Sequence, residues 1–237
     1  MMQQKTDSQV AVAYEAIRDQ VISFTLSPGQ TLSDHKLAKQ LDMSRASVRE
    51  AILMLQMDGL VRLNADGKMC VAPIGIDDIV DILHVRGALE SEALRLIADA
   101  GWLTGEQEDV LRALHASVIA CTESGDATEQ YRYDDLFHST LVEFSGSMRI
   151  CDLLGRLRLQ MQRARFLNIA NPARQRATAL EHERLLQALM RHDLDASICL
   201  LREHFQNSAD TFRQVLESQQ MRALSSMLSS FYQHDGG

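Results

Sequence analysis

The chain has 237 residues, 46% hydrophobic and 24% charged, with a formal net charge of −8. That length exceeds one typical domain, and the acidic balance excludes a protein that grips nucleic acid through bulk positive charge. No apolar run is long enough to span a bilayer and no basic-then-apolar leader opens the chain, so a soluble, unexported, cytoplasmic protein with no membrane partner is expected.

An amphipathic helix is predicted at about Val10–Phe24, ended by the turn Ser27-Pro28-Gly29. Ser33 or Asp34 can cap a short helix carrying Leu37, Ala38 and Leu41. Asp42-Met43 then makes a turn, and Ser44 caps a second helix in which Val48, Ile52 and Leu55 form the buried stripe. Arg45 and Arg49 lie one helical turn apart beside that stripe and can face outward together. Gly59-Leu60-Val61-Arg62 reads as a strand, Asn64-Ala65-Asp66-Gly67 as a tight turn, and Met69-Cys70-Val71 as the return strand. Three helices and a hairpin in this order predict a winged helix-turn-helix over 1–73 that binds double-stranded DNA.

The charge supports this only after the chain is divided. Residues 1–73 hold eight Lys/Arg and eight Asp/Glu, so the acidic excess belongs entirely to 74–237. A neutral DNA-binding domain must rely on local placement of its cations, and a homodimer on a pseudo-palindromic operator is expected. The expected placement is as follows. Arg45 and Arg49 would face guanine N7 and O6, while Ser44, Ala46 and Ser47 lie near enough for phosphate or a thymine methyl. Ser33 and the first-helix amides would meet phosphate, and Asn64, Gly67 and Lys68 would form the wing.

From Ile76 the pattern is helical throughout. Helices are predicted near 76–100, 104–123, 126–145, 147–168, 173–192 and 194–217, with a weak amphipathic tail after Gln219. An all-α bundle over 74–237 is therefore expected, so the fold as a whole is mainly α. Four cysteines, at 70, 121, 151 and 199, have neither metal nor redox spacing.

The functional clue in the bundle is polarity on apolar faces. Arg86 and Glu90 share a stripe with Ile79, Ile82, Leu83 and Ile97. Asp134 and His138 stand at i, i+4 beside Phe137 and Leu141, His182 lies among Leu185, Leu186 and Leu189, and His204 accompanies Leu200 and Leu201. One reading is a set of hydrogen-bonded core residues; the other is a divalent-metal site, since imidazole and carboxylate suit zinc, nickel, manganese or iron.

The first sixty or so residues resemble the GntR family of bacterial transcription regulators. The resemblance rests on Ser44-Arg45-Ala46-Ser47-Val48-Arg49-Glu50-Ala51 with Leu55, and on Pro28-Gly29, Leu37-Ala38, Gly59-Leu60-Val61 and Gly67. His35 departs from the pattern: the resemblance implies a phosphate-contacting position where relatives often carry Arg, and a neutral His would weaken that contact. Residues 76–217 resemble the FCD-type ligand-binding domain through Arg86 with Leu89-Glu90, Asp134, Phe137-His138, Glu181-His182, Asp193 and His204. Ser147 departs from the usual Asn. The resemblance implies that Asp134, His138, His182 and His204 hold a divalent metal, zinc first among the candidates, which helps bind a small organic or sugar acid.

Arg86 can take the effector carboxylate or pair with Glu90, and Asn207, Arg163 and Arg165 are further effector candidates. A regulator, more often a repressor in this family, is expected. A metal-dependent enzyme is the alternative, against which no HExxH motif and no marked nucleophile appear.

Overall fold

The computed structural model describes residues 2–163 and 172–232, with side chains described for 9–163, 172–215, 217 and 218. The chain divides into two compact units, Met1–Gly75 with Gly155–Ala164, and Ile76–Leu154 with Arg165–Gly237. Residues 155–163 belong with the first unit, an assignment that apolar periodicity along one helix cannot make.

The first unit contains α1 (Met2–Ile22), α2 (Asp34–Leu41), α3 (Arg45–Met57), β1 (Val61–Leu63) and β2 (Met69–Val71). Ala13, Ile17 and Val21 of α1, Leu37 of α2, and Val48, Ile52 and Leu55 of α3 share one core with Leu60, Val61 and Val71. The Ser33 hydroxyl accepts from the Lys36 amide at the start of α2, and Ser44 accepts from the Ser47 amide at the start of α3. Each cap satisfies an amide that has no partner in the helix.

β1 and β2 pair antiparallel, Val61 with Val71 and Leu63 with Met69. Their connection is longer than a two-residue turn. The Asn64 carbonyl accepts from the Gly67 amide, its own amide donates to the Lys68 carbonyl, and its side chain accepts from the Asp66 and Lys68 amides at 3.0 and 2.9 Å. Gly67 closes it at φ +71, the left-handed position that such a bulged hairpin requires.

The second unit is built from α4 (Ile76–Asp99), α5 (Gly105–Ser124), α6 (Ala127–Glu143), the start of α7 (Met148–Met161), α8 (Pro172–Met190) and α9 (Leu194–Tyr232). Thr104 and Gln107 form a reciprocal capping box at α5, and Asp126 and Asp193 cap α6 and α9. Ile79, Leu94, Ile97, Leu111, Phe137, Leu141, Leu185, Leu189 and Leu201 are fully buried. The helix expected to stop near 217 continues along the backbone to Tyr232, whereas residues 164–168 of the one expected over 147–168 lie outside the described residues.

Candidate nucleic-acid interface and metal centre

In the first unit, α3 presents Ser44, Arg45, Ala46 and Arg49 to solvent. Ser47 does not join them. It is 1% exposed, and its hydroxyl sits 2.9 Å from that of Ser44. Position 47 precedes Val48 on the inward arc of the helix, so Ser47 completes the cap instead of reaching a base edge. On α2, His35 is exposed and Ser33 half-buried, while at the wing Gly67 and Lys68 are exposed. Asn64 is half-buried, and its side-chain oxygen is already committed to the hairpin loop.

Both arginines of α3 are engaged. The Asp34 carboxylate accepts from Arg45 Nη2 at 3.2 Å, and from Arg49 Nε and Nη2 at 3.2 and 2.7 Å. The Arg49 hydrogen bond, only partly opposed by desolvation and reinforced by Arg45, holds the Asp34 carboxyl below its usual range.

In the second unit, α6 supplies Asp134 and His138, α8 supplies His182 and α9 supplies His204. One ligand atom from each lies within 4.8 Å of all the others. His138 Nε2 and His182 Nε2 are 3.2 Å apart, and His182 Nε2 is 3.3 Å from Asp134 Oδ1. All three imidazoles are buried, with Phe137 stacked on His182 at 4.5 Å.

Two carboxylates fix the rings from behind. Glu90 Oε2 is 2.7 Å from His138 Nδ1, and Glu181 Oε2 is 2.8 Å from His204 Nδ1. With each carboxylate accepting the Nδ1 proton, the Nε2 lone pairs of His138 and His204 are left facing the centre of the cluster. Asp134 Oδ1 and His182 Nδ1 are buried without a hydrogen-bond partner. Burial drives the His182 imidazole well below its ordinary value, helped by neighbouring His204 and His138, and burial likewise lowers His204. Three imidazoles and a carboxylate that converge, with Asp134 Oδ1 and His182 Nδ1 left unpartnered in the interior, fit a divalent cation well.

The two supporting carboxylates are themselves paired. Burial alone would raise Glu90, but Arg86 and His138 outweigh it and bring the carboxyl to about 2. For Glu181 the same burial is outweighed by hydrogen bonds from His204 and Arg174, again to about 2. Arg174 meets Glu181 through two parallel bonds of 2.8 Å, and its Nη2 also donates to Ser208 Oγ at 2.9 Å. A small cavity of about 50 Å³ opens beside the cluster, its walls including Gln130, Tyr131, Asp134, Arg174, Thr178 and His204.

Three of the effector candidates have protein partners of their own. The structure places Arg86 on Glu90 at 3.0 Å with its guanidinium over the Phe205 ring, the ion-pair alternative of the two. Asn207 donates to Glu181 Oε1 at 2.8 Å. Arg163 belongs to the first unit, where it donates to the Ala72 carbonyl, and Arg165 lies outside the described residues. Arg174, which does line the cavity, reads in sequence as one more charge in an Arg-rich helix start. Its only clue is a helical spacing of seven from Glu181.

His115 of α5 is 4% exposed and bonds Glu183 at 2.9 Å. His192 is exposed and stacks on Trp102. Cys199 is exposed.

Helices α1–α3 with a wing, followed by a helical unit with an internal polar site, define a two-part regulator of DNA. Residues 9–67 match the model of bacterial regulatory proteins of the gntR family, and residues 81–207 match the FCD domain. The chain belongs to the GntR family of transcription regulators with an FCD domain, and it is not an enzyme.

It is 25% identical over 205 residues to the uncharacterized regulator YdhC of Bacillus subtilis, covering 86% of this chain and 91% of that one. It is 24% identical over 203 residues to the transcriptional repressor RspR of Escherichia coli, covering 85% and 88%. Among solved structures, Escherichia coli McbR/YncC superposes with a TM-score of 0.69 at 26% identity, covering 87% of this chain and 97% of that one. Among the described residues no helix is long and apolar enough to cross a membrane.

Proposed function

We propose that this regulator binds a pseudo-palindromic operator as a homodimer and that a small carboxylate metabolite, seated beside a divalent metal, controls its affinity. Repression is the proposed direction, in keeping with the name of the RspR relative. The observation that carries the metal is the convergence of Asp134, His138, His182 and His204, with Glu90 and Glu181 orienting two of the imidazoles. Zinc suits this donor set, as do nickel, manganese and iron. When bound, the ion supplies a Lewis-acid anchor for an anionic ligand.

The chain's own residues define the rest of the site. Arg174 brings positive charge to the cavity wall, and Tyr131, Gln130 and Thr178 add hydrogen-bonding groups there. The cavity is small and opens to solvent, so the effector is a small organic or sugar acid that enters through its carboxylate. Dimerisation follows from charge: one neutral winged helix offers too little contact for a specific complex, and two copies double it.

Metal analysis of the purified protein, alongside thermal shifts with an organic-acid panel, tests the reading. About one divalent ion per chain is expected, and His182→Ala and His204→Ala should each empty the site. Operator affinity in the metal-free variants should persist while the effector response disappears, because an effector acts only through differential binding to two conformations. Full metal content in both variants would leave the four residues as ordinary polar core groups.

A further inference from the structure

An acidic side chain on the DNA-facing side of a domain with no spare positive charge needs an explanation. Asp34 is the first residue of α2, its carboxylate 22% exposed, and every described hydrogen bond to that carboxylate from another side chain comes from Arg45 or Arg49. Those two side chains are themselves 59% and 66% exposed. A carboxylate here repels phosphate and competes with DNA for the same guanidinium groups.

The pattern of atoms suggests what it provides in return. Arg49 gives Asp34 its Nε–Nη2 edge. A planar guanidinium has a second edge, Nη1–Nη2, whose N–H groups lie parallel and match the N7 and O6 acceptors of guanine. Arg45 commits only Nη2 to the carboxylate. One anion thus ties two long, rotamer-rich side chains to α2 before any DNA arrives, and leaves each with N–H groups to donate.

We propose that Asp34 is a positioning residue for sequence reading: it holds Arg45 and Arg49 with one edge engaged and the other presented, giving up non-specific affinity for base discrimination. This rests on the reading of Arg45 and Arg49 as base-contacting residues. Preorganised arginines reach a guanine without losing rotamer freedom at that step, whereas arginines released from Asp34 turn readily toward the nearest phosphate.

The test uses the full-length protein and two probes, the duplex it selects from a randomised pool and a scrambled duplex of equal length. Asp34→Asn keeps the shape and removes the charge. Affinity for the scrambled duplex should rise about three- to tenfold as a repulsive charge is lost, while affinity for the selected duplex stays level or falls. The ratio of the two should drop about tenfold, and sequences re-selected by Asp34→Asn should lose the guanines that Arg45→Ala or Arg49→Ala also loses. Asp34→Glu should restore part of the ratio.

Equal tightening on both duplexes, with unchanged selected sequences, would make Asp34 a charge brake and overturn the proposal. Equal weakening on both would make it a structural residue of α2 and overturn it as well. If Arg45→Ala and Arg49→Ala leave the selected sequence unchanged, the base-reading assignment itself fails. If they change it and Asp34→Asn does not, only the role of Asp34 fails.

Discussion

Gly59, just past the end of α3, offers a local test of how that helix is held. Its φ is +74, and the space where a Cβ would stand is filled by the side-chain amide of Gln160. Gln160 Nε2 donates to the Asp58 carbonyl at 2.9 Å, satisfying an acceptor at the helix C-terminus. Gly59→Ala should therefore cost twice. A non-glycine residue in the left-handed region costs about 1–2 kcal/mol. Displacing Gln160 forfeits a hydrogen bond worth about 1 kcal/mol.

The sum, about 2–3 kcal/mol, corresponds to amide exchange roughly 30- to 150-fold faster where exchange proceeds by opening of α3. Gly67 supplies the control, with nearly the same φ of +71 and nothing within 4 Å of the added Cβ. Gly67→Ala should show the backbone cost alone, in the wing. Hydrogen exchange read by mass spectrometry on peptides covering 45–60 measures the effect, and a double-mutant cycle with Gln160→Ala isolates the coupling. Gly59→Ala and Gln160→Ala should couple by about 1 kcal/mol, since removing Gln160 first leaves only the backbone strain. Strict additivity of the two substitutions would refute the contact as the cause.

Arg45→Ala and Arg49→Ala are each expected to weaken operator binding by about 1–3 kcal/mol and relax one base position per half-site, measured at fixed salt against single-base variants; uniform weakening across sequences would reassign that arginine to phosphate. Glu181→Gln should lower metal affinity about 10–100-fold by loosening His204, read by competition with a chromogenic chelator, and unchanged affinity would remove Glu181 from the site.

Metal-free protein should lose stability on acidification in two stages. His182 and His204 have folded-state values below 6.5, so the unfolded chain takes up protons the native one refuses. Their contribution is full above about pH 6.5 and declines as the pH falls below it. Glu90 and Glu181, at about 2 against 4.5, add a second loss as pH falls from 4.5 toward 2. Urea denaturation followed by the single tryptophan, Trp102 in the helical unit, reads both stages, and equal midpoints at pH 7.5 and 5.5 would contradict the first.

Much of this protein is written in local pattern. The stripe Val48, Ile52, Leu55 set the buried face of α3 and left Arg45 and Arg49 outside, because a helix repeats every 3.6 residues whatever it packs against. The same logic put Asp134 and His138 on one face of α6 and marked His182 and His204 as polar residues among leucines. What periodicity cannot state is who stands opposite. Glu90 reaches His138 across 48 residues and Arg174 reaches His204 across 30, and only the packing of separate helices decides those pairs.

Arg86 illustrates the difference. Its stripe showed that it points inward, but whether it meets a ligand or Glu90 depends on side-chain reach across a packed core. Ser47 is the converse: one position from the stripe, it falls inside because the turn of α3 places it there and Ser44 supplies a partner. Asp34 looked like a helix-capping acid, which is all that one helix can reveal. Its hold on Arg45 and Arg49 exists because α2 and α3 cross, and a contact between elements is fixed by the geometry of the fold, not by the spacing of residues within either helix.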